Sequence, residues 1–344
     1  MTARGLLRDL MAAVLLALPG VPAAADPVSD FYRDRQVNLI SGFNPGGGFD
    51  IYARLVARYL PKYIPGEPHI IIRNMPGAGS MIATNHVFNV SPRDGSEFGL
   101  FSSDMVIAPL MGAPTAKFVA REFTWLGSAS SDVIYCIAWG ASPFKSFDQV
   151  FQSEMLVGAA GIQMANVPML LNRVLGTKFK VIKGYAGTAA VKLAVQRGEV
   201  QGWCNVGLES VRGMNPEWIT DGTVRFLTQV GYEPRNEVKN VPFFLDYAKN
   251  EDDKHLLKLI FGYPFMARPF AAPPKIPRDR AAALRNAFAA SLKDEGLRAE
   301  AEQARIDIQL VTGEQIDAFL AEMYATDPKL VARASQVMAE VTRP

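Results

Sequence analysis

Residues Val37–Leu60 read VNLISGFNPGGGFDIYARLVARYL, and this stretch decides the fold class. Val37–Phe43 reads as a strand, rich in apolar and β-branched side chains. Asp50–Leu60 reads as a helix, with Ile51, Leu55, Tyr59 and Leu60 on one face and Pro61 ending it. Between them lies Asn44-Pro45-Gly46-Gly47-Gly48-Phe49-Asp50. Successive glycines let a backbone turn several N–H groups into one concavity. The helix that follows adds its positive N-terminal end. Such a loop suits an anion, a carboxylate as well as a phosphate. The lysine and hydroxyl of a P-loop are missing, and the glycine spacing is not GxGxxG. A tight strand-to-helix turn with Asp50 as its cap is the plainer reading of the same residues.

Outward from this stretch the same grammar repeats, which is the α/β pattern. Strands are expected at His69–Asn74, at Glu97–Phe101 after the Arg93-Asp94-Gly95 turn, and at Val133–Trp139, Met155–Ala159, Lys180–Gly184 and Val200–Cys204. Thr188–Arg197 reads as a helix stopped by Gly198, and Ser146 with Gln149 resembles a capping box. Val224–Val230 reads as a return path. The last third is helical, with Arg278–Asp294, Glu314–Met323 and Lys329–Val341 as amphipathic segments. The charged stretch 235–254, around Pro242-Phe243-Phe244, reads as a surface excursion.

A second glycine loop, Gly184-Tyr185-Ala186-Gly187-Thr188, also joins a strand to a helix, with Thr188 placed as N-cap. Two such loops facing each other across a cleft would form one anion site, and the pairing carries more weight than either loop alone. A third loop, Pro76-Gly77-Ala78-Gly79-Ser80, follows the His69–Asn74 strand and reads equally as a close-packed turn. Ser102, Ser103 and Asp104 sit at the C-terminal end of a strand, where α/β proteins place ligands.

Bulk properties narrow the function class. The beginning of the chain has Arg4 and Arg8, the apolar run Leu10–Leu18, the Pro19-Gly20 break and Ala23-Ala24-Ala25, so residues 1–25 read as a cleaved secretory leader. Nine helical residues span about 14 Å, too short for a hydrocarbon core of roughly 30 Å. Net charge is +2 with Lys and Arg scattered, which argues against nucleic acid as a partner. Cys136 and Cys204 either form one disulfide, as exported chains favour, or stand as two buried thiols. His69, His86 and His255 do not cluster, so no metal site is expected, and no cofactor motif is present. No G-x-S-x-G elbow occurs and neither cysteine has a histidine nearby in sequence, so no catalytic residue is expected.

Four stretches together resemble the substrate-binding proteins of tripartite tricarboxylate transporters, the Bug or TctC-like family. They are Gly42–Asp50, Asn74–Ser80, Pro92-Arg93-Asp94-Gly95 and Gly184–Thr188. The resemblance implies an α/β type II periplasmic-binding-protein fold, a Venus flytrap of two lobes. Lobe 1 would take 26–130 and 228–344, and lobe 2 would take 131–227, with hinge crossings near Gly127–Val133 and Thr223–Val230. It also implies that the first loop (Asn44, Gly46, Gly47, Gly48, Phe49, Asp50) and a matching loop of the second lobe (Tyr185, Ala186, Gly187, Thr188) pinch one carboxylate, with Ser80 close by. Ser102 and Ser103 remain pocket candidates.

The sequence departs from the family pattern at three places. Phe49 stands where a hydroxyl or amide side chain is usual. Gly161-Ile162-Gln163-Met164 replaces a glycine-serine pair, leaving Gln163 or Asn166 to take over a polar contact. The cysteine pair is no general family feature. Trp139, Trp203 and Tyr185 are candidates to line the ligand body, although a core position is the favoured reading for each tryptophan. The implied function is capture of a small carboxylate in the periplasm by a monomer that serves transporter membrane subunits. A periplasmic sensor, or a hydrolase or transferase, is the alternative.

Overall fold

The computed structural model describes residues 26–342, so the expected leader at 1–25 lies outside the described residues. Eleven strands occur among them. They are β1 (Gln36–Ser41), β2 (His69–Asn74), β3 (Glu97–Leu100), β4 (Thr124–Ser128), β5 (Ile134–Trp139), β6 (Met155–Ala159), β7 (Phe179–Lys183), β8 (Gly202–Gly207), β9 (Val224–Val230), β10 (Pro269–Ala272) and β11 (Val311–Thr312). They form two sheets, ordered β11-β4-β10-β3-β1-β2 and β7-β6-β8-β5-β9.

Both sheets follow one plan. In the first, β1 pairs in parallel with β2 and β3, and β10 runs antiparallel between β3 and β4. In the second, β6 pairs in parallel with β7 and β8, and β5 runs antiparallel between β8 and β9. Parallel neighbours need helical crossovers. Here these are Gly48–Tyr59 and Met81–Asn89 in the first half and Ile162–Leu175 and Thr188–Gln196 in the second. This is a two-lobed α/β architecture with helices on the sheet faces.

The strand sequences follow from burial on both faces. Leu39 stands opposite Ile72 and Phe98 in register, and Leu39 and Phe98 are fully buried with Val56, Leu284 and Phe288. Its neighbour Ile40 points to the other face and joins Met81, Ala83 and Val87. Truncating a core leucine of this kind costs about 2–5 kcal/mol.

Two chain segments connect the sheets and run side by side. The first is the link between β4 and β5, and the second is the approach to β10. Ala267 N–H donates to the Ser130 carbonyl at 3.0 Å and Asp132 N–H to the Pro264 carbonyl at 2.8 Å. Buried Ser128 locks them, its Oγ accepting Arg268 N–H at 2.9 Å and donating to the Ser130 carbonyl at 2.7 Å.

The C-terminal helix Pro328–Thr342 packs with the Glu251–Phe261 helix on the Ile162–Leu175 helix, so the end of the chain fastens onto the second half. Ion pairs join Arg173 to Glu340 at 2.9 Å and Arg333 to Asp253 at 2.6 Å.

Several expectations change. The stretch 235–254 is a surface excursion at its flanks only: Phe243, Phe244 and Leu245 in its middle are buried, and Phe243 bridges to Gln229. Aromatic burial outweighs the charged flanks. The expected Arg278–Asp294 helix ends at Ser291, because Asp294 caps a further helix, Glu295–Gln303, through the N–H groups of Gly296 and Leu297. Val224–Val230 is a strand of the second sheet as well as a return path. Gly187, not Thr188, is the N-cap of the helix after β7. Near Ser146, Gln149 Oε1 accepts the Ser146 N–H at 3.1 Å, but the short helix there begins at Gln149 itself, with Asp148 as its N-cap.

Cys136 and Cys204 are disulfide-bonded, joining β5 to β8. The bond sits at a bulge, where Cys204 and Asn205 together oppose Cys136 and Asn205 takes φ 61°.

Candidate ligand site between the lobes

The first glycine loop is organised from below by Asp50. This carboxylate is 1% exposed and accepts from three residues: Gly46 N–H at 2.9 Å, Arg54 through Nε at 2.7 Å and Nη2 at 3.4 Å, and Asn74 Nδ2 at 2.9 Å. Burial alone would raise its pKa, but the Arg54, Asn74 and Gly46 hydrogen bonds outweigh that and hold it below the ordinary carboxylate value. Asn74 Nδ2 also donates to the Phe43 carbonyl at 2.9 Å, tying the end of β2 to the end of β1. Asp50 is therefore a scaffold for the loop and occupies the Gly46 N–H itself. Gly46 takes φ 81°, which favours glycine. The helix starts at Gly48 with Gly47 as N-cap and no side-chain cap, so its first N–H groups keep no intrahelical partner. Asn44, Gly46, Gly47 and Gly48 are exposed.

Phe49 stacks on Phe43 with ring centroids 3.7 Å apart and planes 13° from parallel. The Arg268 guanidinium lies over the Phe49 ring, its Cζ 4.3 Å from the centroid, and 5.1 Å from the Tyr52 centroid. Arg268 Nη1 donates to the Ala267 carbonyl at 2.8 Å, while its buried Nε has no partner among the described residues.

Ser80 turns out to be structural. Its hydroxyl accepts the Ser102 N–H at 2.9 Å, which holds the end of β3 beside the third loop. It presses on Gly42 so closely that a Cβ there would meet Ser80 Cβ at 2.4 Å. Ser103 is buried and Ser102 partly buried.

In the second half, Gly161 caps the Ile162–Leu175 helix, with Gln163 exposed and Asn166 half-buried. In the second loop Ala186 and Thr188 are exposed, whereas Tyr185 and Gly187 are half-buried. Trp203 corrects an expectation. At 1% exposed it is a core residue of the second half, because β8 is a central strand whose faces are both covered. Trp139 packs edge-on against Trp218 at 5.4 Å.

A cavity of about 340 Å³ opens between the two halves. From the first half it is lined by Gly48, Tyr52, Arg268 and the Arg305-Ile306-Asp307 segment. The connecting strand contributes Ser130–Tyr135, the second half Gly207–Ser210, and the following segment Arg235 and Glu237. Tyr52 closes its floor by donating to the Asp307 carbonyl at 2.7 Å, and burial pushes the Tyr52 hydroxyl up to about 12. Arg235 donates to the Ser131 carbonyl and pairs with Glu237 at 3.1 Å.

Of the expected ligand contacts, Gly48 lines this cavity, and the Gly184–Thr188 loop does not. The turn after β8 faces the first loop instead. Its signal was present in sequence, since Gly207 also ends a strand and begins a helix. Arg268, Arg235 and Asp307 carried none: they lie far apart in the chain, outside any glycine loop.

No known family's sequence profile matches the chain. Protein BugT of Bordetella pertussis is 36% identical over 96 residues, which is 28% of either chain. Among solved structures, a TctC solute-binding protein from Polaromonas without ligand superposes with TM-score 0.68 at 19% identity, covering 90% of this chain and 99% of its own. MatC from Rhodopseudomonas palustris with bound malate gives TM-score 0.51 at 19% identity, covering 88% and 99%. The sequence match supports the resemblance carried by the four motifs, and the structural matches cover both halves. The chain thus has the two-lobed α/β fold of the Bug/TctC solute-binding proteins.

Proposed function

We propose that this protein is a periplasmic solute-binding protein that captures a small carboxylate for a tripartite tricarboxylate-type transporter and performs no catalysis. One observation carries the reading. The uncapped start of the Gly48–Tyr59 helix and the Arg268 guanidinium line one cavity at the junction of two lobes. A helix N-terminus and a guanidinium both favour an anion, and the guanidinium fork matches a carboxylate. The match of fold to a malate-bound protein agrees with a carboxylate ligand.

Each lobe supplies part of the cavity wall, so contact with the ligand is completed when the lobes close. A ligand that binds the closed form better shifts the population toward it. A lobe division of 26–130 with 231–344 against 131–230 belongs to this proposal, the second boundary moving from 227/228 to after Val230 because β9 is bonded to β5 along its length. So do Asn44, Gly46, Gly47, Gly48 and Phe49 as ligand-facing elements, with the turn after β8 opposite them in place of the Tyr185–Thr188 loop, a cleaved 1–25 leader, the monomeric state and the membrane subunits as partners.

The test is direct. Residues 26–344 are expressed, stripped of ligand by unfolding and refolding, and screened against carboxylates by calorimetry, with mass spectrometry of the native preparation. A carboxylate bound at micromolar or better affinity is expected. No binder together with no co-purified anion would overturn the reading. Gly47→Val tests the loop: Gly47 has ordinary backbone angles and a Cβ would stand 3.6 Å from the Asn44 carbonyl, so the fold tolerates it. Affinity is expected to fall at least about tenfold, or about 1.4 kcal/mol.

A further inference from the structure

The cavity between the lobes holds charges of both signs that the protein does not pair with each other. Arg268 makes no ion pair among the described residues, and its Nε is buried without a partner. Its flat face is covered by Phe49, with Tyr52 also close, leaving the guanidinium edge as the group open to a ligand. Across the same cavity, the Asp307 carboxylate makes no ion pair or side-chain hydrogen bond among the described residues. Asp132 meets only the Ser130 hydroxyl, at 3.2 Å. Glu209 and Glu237 line the same wall, but each is engaged by an arginine, Arg212 and Arg235 respectively.

Unpaired cations, Arg268 and the more exposed Arg305, and unpaired carboxylates in one partly enclosed cavity carry a desolvation cost that matching ligand charges would offset. We infer that the ligand is amphoteric, with its carboxylate on the edge of Arg268 beside the Gly48 turn and its cationic nitrogen against Asp307 and Asp132. This rests on the carboxylate-binding reading above and narrows it to amino acids and related zwitterions. It also gives Phe49 a role. Where a side-chain hydroxyl or amide is absent, the Phe43–Phe49 stack is a shelf that holds Arg268 flat, so the side-chain contact to the carboxylate comes from the guanidinium.

The experiment uses the stripped protein and calorimetric titration with pairs differing only in the ammonium group. The probes are L-leucine against 4-methylpentanoate and γ-aminobutyrate against butyrate, with glutarate as a dianion of similar length. In at least one pair the amino compound is expected to bind tenfold or more tighter than its partner, and tighter than glutarate. Asp307→Asn is expected to bring that ratio close to one by weakening the amino compound, and Arg268→Gln to weaken both members. Equal binding within both pairs, tighter binding of glutarate, or a ratio unmoved by Asp307→Asn overturns the amphoteric assignment and leaves carboxylate capture standing. Failure of every probe to bind, with no anion in the native preparation, overturns the carboxylate reading and this inference with it. Circular dichroism and melting of both variants exclude misfolding as the source of a loss.

Discussion

The Asp50 carboxylate reaches back past the start of its own helix to accept the Gly46 N–H at 2.9 Å. That bond fixes the shape of the glycine loop, so the loop is held open by an acidic side chain that never faces the cleft. Asp50→Ala leaves the Gly46 N–H and the Asn74 amide short of an acceptor and is expected to cost about 1–3 kcal/mol in urea denaturation at pH 7. The folded pKa of Asp50 lies below its unfolded value, so this stabilisation is present above the unfolded pKa of about 3.9 and is lost as pH falls through the folded one. The gap between wild type and Asp50→Asn should therefore narrow on acidification, measured as Tm against pH.

The disulfide between Cys136 and Cys204 closes a sequence separation of 68 residues. Chain entropy for a loop of that size corresponds to about 4 kcal/mol, and measured cases run from about 0 to 5. Replacing both cysteines by alanine is expected to lower unfolding stability by about 2–4 kcal/mol, read by denaturant titration without reductant. Affinity should change little, because both sulfurs are buried in the second sheet.

Asp307 predicts a pH effect of opposite sign to that of Asp50. Burial raises its pKa, Glu209 and Glu237 push it further, Arg235 pulls it back and Asp132 adds to the rise. A carboxyl whose folded pKa lies above its unfolded value destabilises the fold once ionised, so the penalty appears as pH rises through the folded pKa and is absent below the unfolded one. Asp307→Asn should raise the Tm of the ligand-free protein at pH 7 and leave it unchanged near pH 3. A lower Tm at pH 7 would contradict this.

Ser128 joins the two connecting segments through one hydroxyl. Ser128→Ala leaves the Arg268 N–H without its acceptor and is expected to cost about 1–3 kcal/mol. Amide exchange should quicken at Arg268 and at Ala267, whose N–H shares the Ser130 carbonyl, and ligand affinity should fall several-fold because Arg268 loses its anchor. Unchanged exchange would mean that the remaining inter-segment bonds suffice.

The repeating strand, glycine turn and helix units were legible because each is local. His69–Asn74 and Met155–Ala159 have the same bounds in sequence and in structure. Short strands such as Pro269–Ala272 were not, since four residues show no period and their identity comes from the neighbours they pair with. The Ile162–Leu175 helix was hidden by Pro168 and by an apolar surface that is covered from two sides. At the site, the loop was readable and its cation was not. Arg268 acquires meaning from Phe49, some 200 residues earlier, and no local pattern links the two. Trp203 shows the converse error: an aromatic at the end of a strand drew attention, but strand position in the sheet decides whether it meets a ligand.

The docking of the Pro328–Thr342 helix onto the Ile162–Leu175 helix has a consequence for biogenesis. A chain is made from its N-terminus, so Leu170, Leu171 and Val174 are synthesised long before Ala334, Val337 and Val341 exist to cover that side of the core. Until the last helix arrives, the newborn protein presents a greasy flank to its surroundings. The Pro328–Thr342 helix thus acts as a completion signal, and a product truncated at residue 327 should be sticky, short-lived and readily cleared by proteases.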